Sequence, residues 1–337
     1  MNGPIQIQRH IPVLLAEAME TLKPRPGGVY VDGTFGAGGY CRALLERGAE
    51  VVALDRDPAA IRAGAALVAA WGGRLRLVEA RFGGLDAAAA EFDFRIVDGV
   101  VLDIGVSSMQ LDEPARGFSL RFDAPLDMRM GGESRTAADI LSDEDEATIA
   151  DILYRFGEER AARRIARAIV ADRKTAPFTS TLRLARLVAR VAPARRGELT
   201  HPATRTFQAL RIAVNDELGE LLRGLLAAER VLNAGGRLVV VTFHSLEDRI
   251  VKQFFASRSG RGEAASRLLP GEAPRPQPTF EVPRGQPIEP SAAEAQANPR
   301  SRSARLRFAI RLEASARGAD AELKALTQLP LKRRRTT

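Results

Sequence analysis

The 337-residue chain has a single cysteine, Cys41, so no internal disulfide can form. It has no run of about 18 apolar residues, the length a membrane-spanning helix needs. The opening MNGPIQIQRHIPVLL lacks the basic-then-apolar layout of a signal peptide, so a cytoplasmic location with no membrane partner is expected. Aromatics make up 5% of the chain against 45% hydrophobic residues in all, so the core must be built from Ala, Leu, Val and Ile. Lysine is scarce: Lys23, Lys174, Lys252, Lys324 and Lys332 are the only ones among 50 basic residues. An Arg- and Ala-rich composition of this kind follows from a GC-rich genome. The net charge of +8 therefore favours a polyanionic partner without establishing one. Histidine occurs only as His10, His201 and His244. No cluster has metal-ligand spacing, so no metal is expected.

Residues 28–111 alternate between strand and helix patterns. GVYVDGTF predicts a strand over Val29–Asp32 that ends in a glycine turn, and a helix follows from Cys41 to Arg47. A second strand runs from Ala49 to acidic residues, and Pro58 opens a helix to Ala69. Strands are also predicted from Arg74, and from Asp98 in DGVVLDIGVSS, which is apolar on both faces as a central parallel strand should be. Repeated βα units imply a doubly wound sheet. Residues 112–135 are irregular and 137–230 are helical in period. A strand returns at GGRLVVVTF, and a helix spans Leu246–Phe255. In SARLRFAIRL, Leu306, Phe308 and Ile310 alternate with Arg305, Arg307 and Arg311, the pattern of a half-buried strand. The expected organisation is an α/β domain over 1–110 and 216–313, interrupted by a helical insertion over 111–215. Residues 257–300 read as a long loop, and 314–337 as a disordered basic tail.

Between the first strand and its helix lies Asp32-Gly33-Thr34-Phe35-Gly36-Ala37-Gly38-Gly39-Tyr40. Glycines there allow a sharp turn and close approach of a ligand to a helix N-terminus. Asp55 ends the second strand, where a carboxylate can accept from the hydroxyls of a ribose. Together these point to a nucleoside-containing cofactor. A dinucleotide fingerprint fails, because Cys41 occupies the third glycine position, which weakens a nicotinamide oxidoreductase reading. The loop is similar to the first motif of Rossmann-like methyltransferases. Phe82, after the third strand, is placed to pack on an adenine or simply to fill the core. Asp103 ends the fourth strand, as a ligand group or a turn cap.

The segments HIPVLLAEAMETL, GGVYVDGTFGAGGY, VVALDRDP, VLDIGVSSMQLDEPARGFSLRFDAPLDMRM, FGEERAARRIARAIV, HPATRTFQALRIAVNDEL, GGRLVVVTFHSLEDRIVK and NPRSRSARLR follow in order from His10 to Arg307. Together they resemble the ribosomal small-subunit methyltransferase H family over nearly the whole chain. The resemblance implies a class I methyltransferase sheet that binds S-adenosylmethionine, with the helical insertion recognising RNA. The implied reaction is N4-methylation of a decoding-centre cytidine in bacterial 16S rRNA. The implied partner is 16S rRNA in the small ribosomal subunit, and a homodimer is left open. Carried over by position, the cofactor contacts fall on Gly38, Gly39, Tyr40, Asp55, Phe82, Asp103 and Gln110. Tyr40 stands where many members have His, which matters only if a ring nitrogen is needed rather than the backbone.

Cytosine N4 is a poor nucleophile because its lone pair is delocalised into the ring. A hydrogen-bond acceptor and an in-line geometry are what a site can offer. Asp103 and His244 are the catalytic candidates. Asp103-Ile104-Gly105-Val106 carries no aromatic that could stack a base. Next to His244, Ser245 and Asp248 read as helix-capping residues. Asn215 and Asp216 are candidates to face the site. Arg160, Arg163, Arg164 and Arg167 fall at near-helical spacing opposite an apolar stripe, a face suited to phosphates or, more simply, to water. Arg183, Arg186 and Arg190 repeat the pattern, and Arg205 and Arg211 flank the return to the core. The competing functions are a methyltransferase acting on DNA or protein, and an RNA-binding or assembly factor that has kept the fold without the activity.

Overall fold

The structure is a computed structural model. It describes residues 12–107, 110–111, 113–120, 122–132, 134–194, 197, 200–260 and 276–329. His10 and the basic stretch 331–337 lie outside them. The chain divides into two compact units, with boundaries after Gly105, Gly219 and Leu323.

The first unit is built on a seven-stranded sheet. Strands β1 (Val29–Asp32), β2 (Glu50–Asp55), β3 (Leu75–Glu79), β4 (Val97–Asp103) and β5 (Leu232–Thr242) are parallel. β6 (Phe280–Glu281) and β7 (Arg305–Arg311) complete the order β3-β2-β1-β4-β5-β7-β6, with β7 antiparallel to both of its neighbours. This is the doubly wound, Rossmann-like sheet that the βα alternation implies. Val100, Val101 and Leu102 of β4 are fully buried, as a strand covered on both faces requires. β1 pairs with β2 on one side and β4 on the other, so the winding direction reverses between β1 and β4. In such sheets the carboxyl ends of the strands at this reversal open onto a crevice. Asp32, Asp55 and Asp103 are the last residues of β1, β2 and β4.

Three expectations for this unit need correction. β7 forms where the alternation places it, with Leu306 buried and Arg305 exposed, but its arginines do not all face water. It lies between two strands, and Arg311 is buried, donating from Nε to the Glu229 carbonyl at 2.8 Å and from Nη1 to the Thr279 carbonyl at 3.1 Å. The stretch 257–300 is not a single loop. The helix from Ser245 continues to Arg258, β6 follows, and a helix forms over Ala292–Ala297 because Ser291 accepts from the Glu294 N–H at 3.1 Å. In the stretch read as a disordered tail, Ala321–Thr327 is helical and Leu323 is buried.

Arg258 is fully buried at the end of its helix. It donates to Glu229 Oε2 at 2.9 Å, Asp320 Oδ2 at 2.9 Å and the Gly318 carbonyl at 2.7 Å. Thr279 Oγ1 satisfies the other Glu229 oxygen at 2.6 Å. A guanidinium out of water is tolerable only with such a set of partners.

The second unit contains the helices Ala137–Asp143, Glu146–Gly157, Ala162–Asp172, Thr181–Val191 and Thr204–Asn215. Side chains of Thr136, Asp145 and Ser180 cap three of them. Ile165, Ala166 and Ile169 bury one face of the Ala162–Asp172 helix, and Leu184, Leu187 and Val188 do the same for Thr181–Val191. Asn215 is fully buried. Its Nδ2 donates to the Met128 carbonyl at 2.7 Å and its Oδ1 accepts from the Met130 N–H at 2.9 Å. It therefore anchors the irregular stretch before the helices, in contrast to the expectation that it faces the site. Asp216 caps the Thr204–Asn215 helix in a left-handed conformation.

Candidate active site at the carboxyl edge of the sheet

The chain leaves β1 at the buried Asp32. Its Oδ1 accepts from the Thr34 N–H at 3.0 Å, and its Oδ2 accepts from the Cys41 thiol at 3.1 Å. Gly33 passes so close to β4 that a Cβ would lie 2.4 Å from Leu102 Cδ2 and 3.0 Å from Phe82 Cβ. Thr34 then turns its hydroxyl to accept from the Asp103 N–H at 2.7 Å, tying the loop to the end of β4. Gly38 has φ +76°, and Gly39 begins the helix Gly39–Glu46 with its Cα against Pro12, where a Cβ would meet Pro12 Cγ at 2.1 Å. The loop is thus held at both ends, and the glycines are required by neighbours as much as by any ligand.

Tyr40 is buried, and its hydroxyl donates to the Val13 carbonyl. Burial pushes this phenol well above its ordinary range. The ring is committed to the core, so only the backbone of Tyr40 can face a ligand, and its replacement of His in this family has no bearing on ring chemistry at the site. Cys41 is likewise buried, and its thiol is raised by burial and by Asp32.

Asp55 holds the loop from the other side. Its Oδ2 accepts from the Gly36 N–H and its Oδ1 from the Asp57 N–H, both at 2.8 Å. The Arg56 N–H is a third backbone donor to this carboxylate. Asp57 caps the helix Pro58–Trp71 by accepting from the Ala59 N–H at 3.0 Å. Phe82 is half-buried, with its ring against Gly224, where a Cβ would approach Cδ2 to 2.5 Å. The buried Glu220 accepts from the Gly83 N–H at 2.7 Å and so fixes the turn that carries Phe82.

Asp103 is half-buried, with one carboxyl oxygen uncompensated. Its Oδ1 is enclosed and has no hydrogen-bond partner. Burial, and then Asp32 and Glu247, push its carboxyl well above the usual carboxylate range. Burial raises Asp32 to about 6 and also raises Asp55. Three carboxyls at adjacent strand ends, one with an orphan oxygen, form a site that a cation stabilises and an anion does not.

His244 is itself the cap of the helix Ser245–Arg258, one residue earlier than the sequence pattern suggests. Its Nδ1 accepts from the Glu247 N–H at 3.3 Å, and Glu247 Oε2 accepts in return from the His244 N–H at 3.2 Å. This assigns the proton of the neutral ring to Nε2, which lies 3.0 Å from Glu247 Oε1. Nε2 and Glu247 Oε1 are both buried, and neither atom has a hydrogen-bond partner. Asp248, expected to cap, instead accepts from Arg307 Nε at 2.7 Å and Arg305 Nη1 at 3.1 Å.

In the second unit, Gln110 is buried, and its Oε1 accepts from the Ser107 N–H at 3.0 Å. Arg160, Arg163, Arg164 and Arg167 are exposed, and Arg167 lies 3.5 Å from Glu146. Arg205 is exposed, with a 3.4 Å contact to the Glu158 carbonyl. Arg211 differs: it makes a bidentate pair with Glu217, both contacts at 2.8 Å. It is a structural arginine rather than a free phosphate ligand. Sequence patterning also overlooks Thr34 and Glu220, whose roles depend on long-range neighbours, and Glu247, whose capping-box partner is the untypical cap His244. Asp57 was readable from the Asp-Pro step that opens its helix.

The profile of the MraW methylase family matches residues 7–312. The Ribosomal RNA small subunit methyltransferase H of Methylocella silvestris is 62% identical over 323 residues, covering 96% of this chain and 93% of that protein. The protein of the same name in Methylorubrum extorquens strain PA1 is 61% identical over 325 residues, covering 96% and 92%. That of Beijerinckia indica is 59% identical over 323 residues, covering 96% and 91%.

Proposed function

Because the chain belongs to the MraW methylase family, we propose that it is an S-adenosylmethionine-dependent methyltransferase that modifies N4 of a cytosine in 16S rRNA, at the decoding centre. The relatives' shared name supplies the substrate class. The observation that carries the assignment to this chain's own residues is the enclosed, unpartnered Asp103 Oδ1 at the sheet reversal. The cofactor supplies a methyl group on a positively charged sulfur beside an ammonium group, and a carboxylate cluster complements that charge.

Gly38, Gly39 and the Tyr40 backbone line the approach to the methionine part. Asp55 offers its carboxylate to the ribose hydroxyls, and the exposed part of Phe82 borders the adenine. Gln110 joins this set on the family resemblance. Asp103 is ionised when a cation is near, and then accepts either from the cofactor's ammonium or from the cytosine N4–H, which localises the nitrogen lone pair. His244, whose Nδ1 is taken up in capping its own helix, orients rather than abstracts. No strong base is needed before attack, because the methylated nitrogen is acidic. In the second unit, Arg160, Arg163, Arg164, Arg167 and Arg205 are assigned to the RNA backbone. The work is expected to take place in the cytoplasm.

Mass spectrometry of 16S rRNA from cells with and without the gene tests this reading. The expected result is loss of the N4-methyl group from one decoding-centre cytidine, restored by the intact gene. Unchanged modification in cells lacking the gene overturns the substrate assignment.

A further inference from the structure

The second unit contains an open groove of about 1350 Å³. Tyr154 of the helix Glu146–Gly157 stands on its wall with Arg160, Arg163, Arg164, Arg205 and Gln208. Tyr154 is 65% exposed, whereas Tyr30 and Tyr40 are buried, so it is the one tyrosine that presents most of its surface to solvent. Among the described residues Arg160, Arg163 and Arg164 make no hydrogen bond or ion pair, and Arg205 has only its long contact to the Glu158 carbonyl. Asp151 and Glu159 share the wall. Glu159 is buried and accepts from the Ala161 N–H at 2.8 Å. Four guanidinium groups against two carboxylates leave the lining positive.

Three features narrow the occupant. The groove exceeds the roughly 300–1,000 Å³ typical of small-molecule pockets, so it suits a length of chain rather than one metabolite. Its unpaired arginines call for an anion with repeated charge. Its bare aromatic ring gains from a flat π-face, which an acidic peptide does not offer and an RNA base does. In an A-form duplex the base faces are stacked on one another and out of reach of a side chain.

We propose that this groove takes single-stranded RNA, with an unpaired base stacked on Tyr154 and neighbouring phosphates held by Arg160, Arg163, Arg164 and Arg205. The proposal rests on the rRNA reading above and deepens it. A target base has to leave its stack to be modified, and that rearrangement leaves neighbouring nucleotides unpaired. Tyr154 provides a place to hold one of them.

Fluorescence anisotropy of the full chain with a labelled hexanucleotide RNA, and with a duplex of the same strand length, tests this over a range of salt. The single strand is expected to bind more tightly. Tyr154→Ala should weaken it roughly tenfold with the salt slope unchanged, as for loss of one stacked base. Tyr154→Phe should bind within about twofold of the parent, since the π-face is kept. Arg160→Ala with Arg164→Ala should shallow the log–log salt slope by about 1.4, two phosphates' worth. An unchanged thermal midpoint for Tyr154→Ala separates lost stacking from misfolding. Equal affinity for duplex and single strand, or a silent Tyr154→Ala, overturns the proposal. Methylation of 16S rRNA is read separately: its absence alongside intact stacking-dependent binding removes the catalytic reading and leaves the groove standing.

Discussion

The Gly36 N–H donates to Asp55 Oδ2 at 2.8 Å, so the carboxylate that ends β2 also holds the glycine loop that follows β1. Asp55→Ala is therefore expected to act twice. It removes the proposed ribose acceptor and leaves the N–H groups of Gly36 and Asp57 without their partner. Calorimetry should show cofactor affinity reduced at least about tenfold, the loss of one charge-assisted hydrogen bond. Urea denaturation should show a stability loss of about 1–3 kcal/mol.

Gly39 and Pro12 form a matched pair, because a Cβ on Gly39 would sit 2.1 Å from Pro12 Cγ. Gly39→Ala should destabilise the protein by about 1–3 kcal/mol through overpacking. Pro12→Gly should recover part of that loss when combined with it. A double-mutant cycle with a coupling of at least about 0.5 kcal/mol is the expected outcome, and strict additivity would show that the clash is relieved elsewhere.

Asp32 gives stability a pH dependence of definite sign. Its folded-state value of about 6 lies above the ordinary 3.8, so the folded protein binds this proton more tightly than the unfolded chain does. Stability attributable to Asp32 is full below pH 3.8 and declines as pH rises towards 6, by about 3 kcal/mol in all. Asp32→Asn keeps an oxygen for the Thr34 N–H and cannot ionise. The difference in urea midpoint between parent and variant should shift in the variant's favour across that window and stay flat above it.

The role proposed for Asp103 couples cofactor binding to protons. Its carboxyl is raised in the free protein, and a bound cation lowers it again, so binding releases a proton. Affinity should increase with pH until Asp103 is ionised in the free protein. Titration calorimetry in buffers of different ionisation enthalpy should record this release. In Asp103→Asn the release attributable to this site should disappear and methyl transfer should fall at least about a hundredfold, the scale of a lost electrostatic contact at a reacting centre.

Arg211 and Arg160 should part company under mutation. Arg211→Ala strands a largely buried Glu217 and is expected to cost about 3 kcal/mol of stability. The salt slope of RNA binding should not change. Arg160→Ala should do the reverse: little change in stability and a slope shallower by about 0.7. Chemical denaturation and anisotropy on the same two proteins check both halves.

The sheet was legible wherever local pattern and tertiary environment agree. VYVD followed by Gly gives β1 to the residue, and the acids at the strand ends are where an open α/β sheet binds ligands. Arg311 was misread because alternation cannot show that the Glu229 and Thr279 carbonyls lie where they accept from its guanidinium. The cap before Ser245 was misplaced by one residue because His244 is not among the usual capping types, and its ring nitrogen takes the role. The helix Ala292–Ala297 was hidden by the composition around it, although Ser291-Ala-Ala-Glu294 is a start signal. The partners that decide the chemistry at the candidate site were not readable at all. That Tyr40 faces Val13, that Thr34 holds Asp103 and that Arg211 holds Glu217 are facts of packing.

The guanidinium of Arg258 also changes how the end of the first unit should be regarded. Its partners Gly318 and Asp320 come some sixty residues later, well past the last strand. A stop codon just beyond β7 would spare every strand and every proposed cofactor contact, yet it would remove the Asp320 carboxylate and the Gly318 carbonyl from Arg258 and leave Glu229 to balance its charge. For this protein a late nonsense mutation is a folding lesion, not a trimmed appendage.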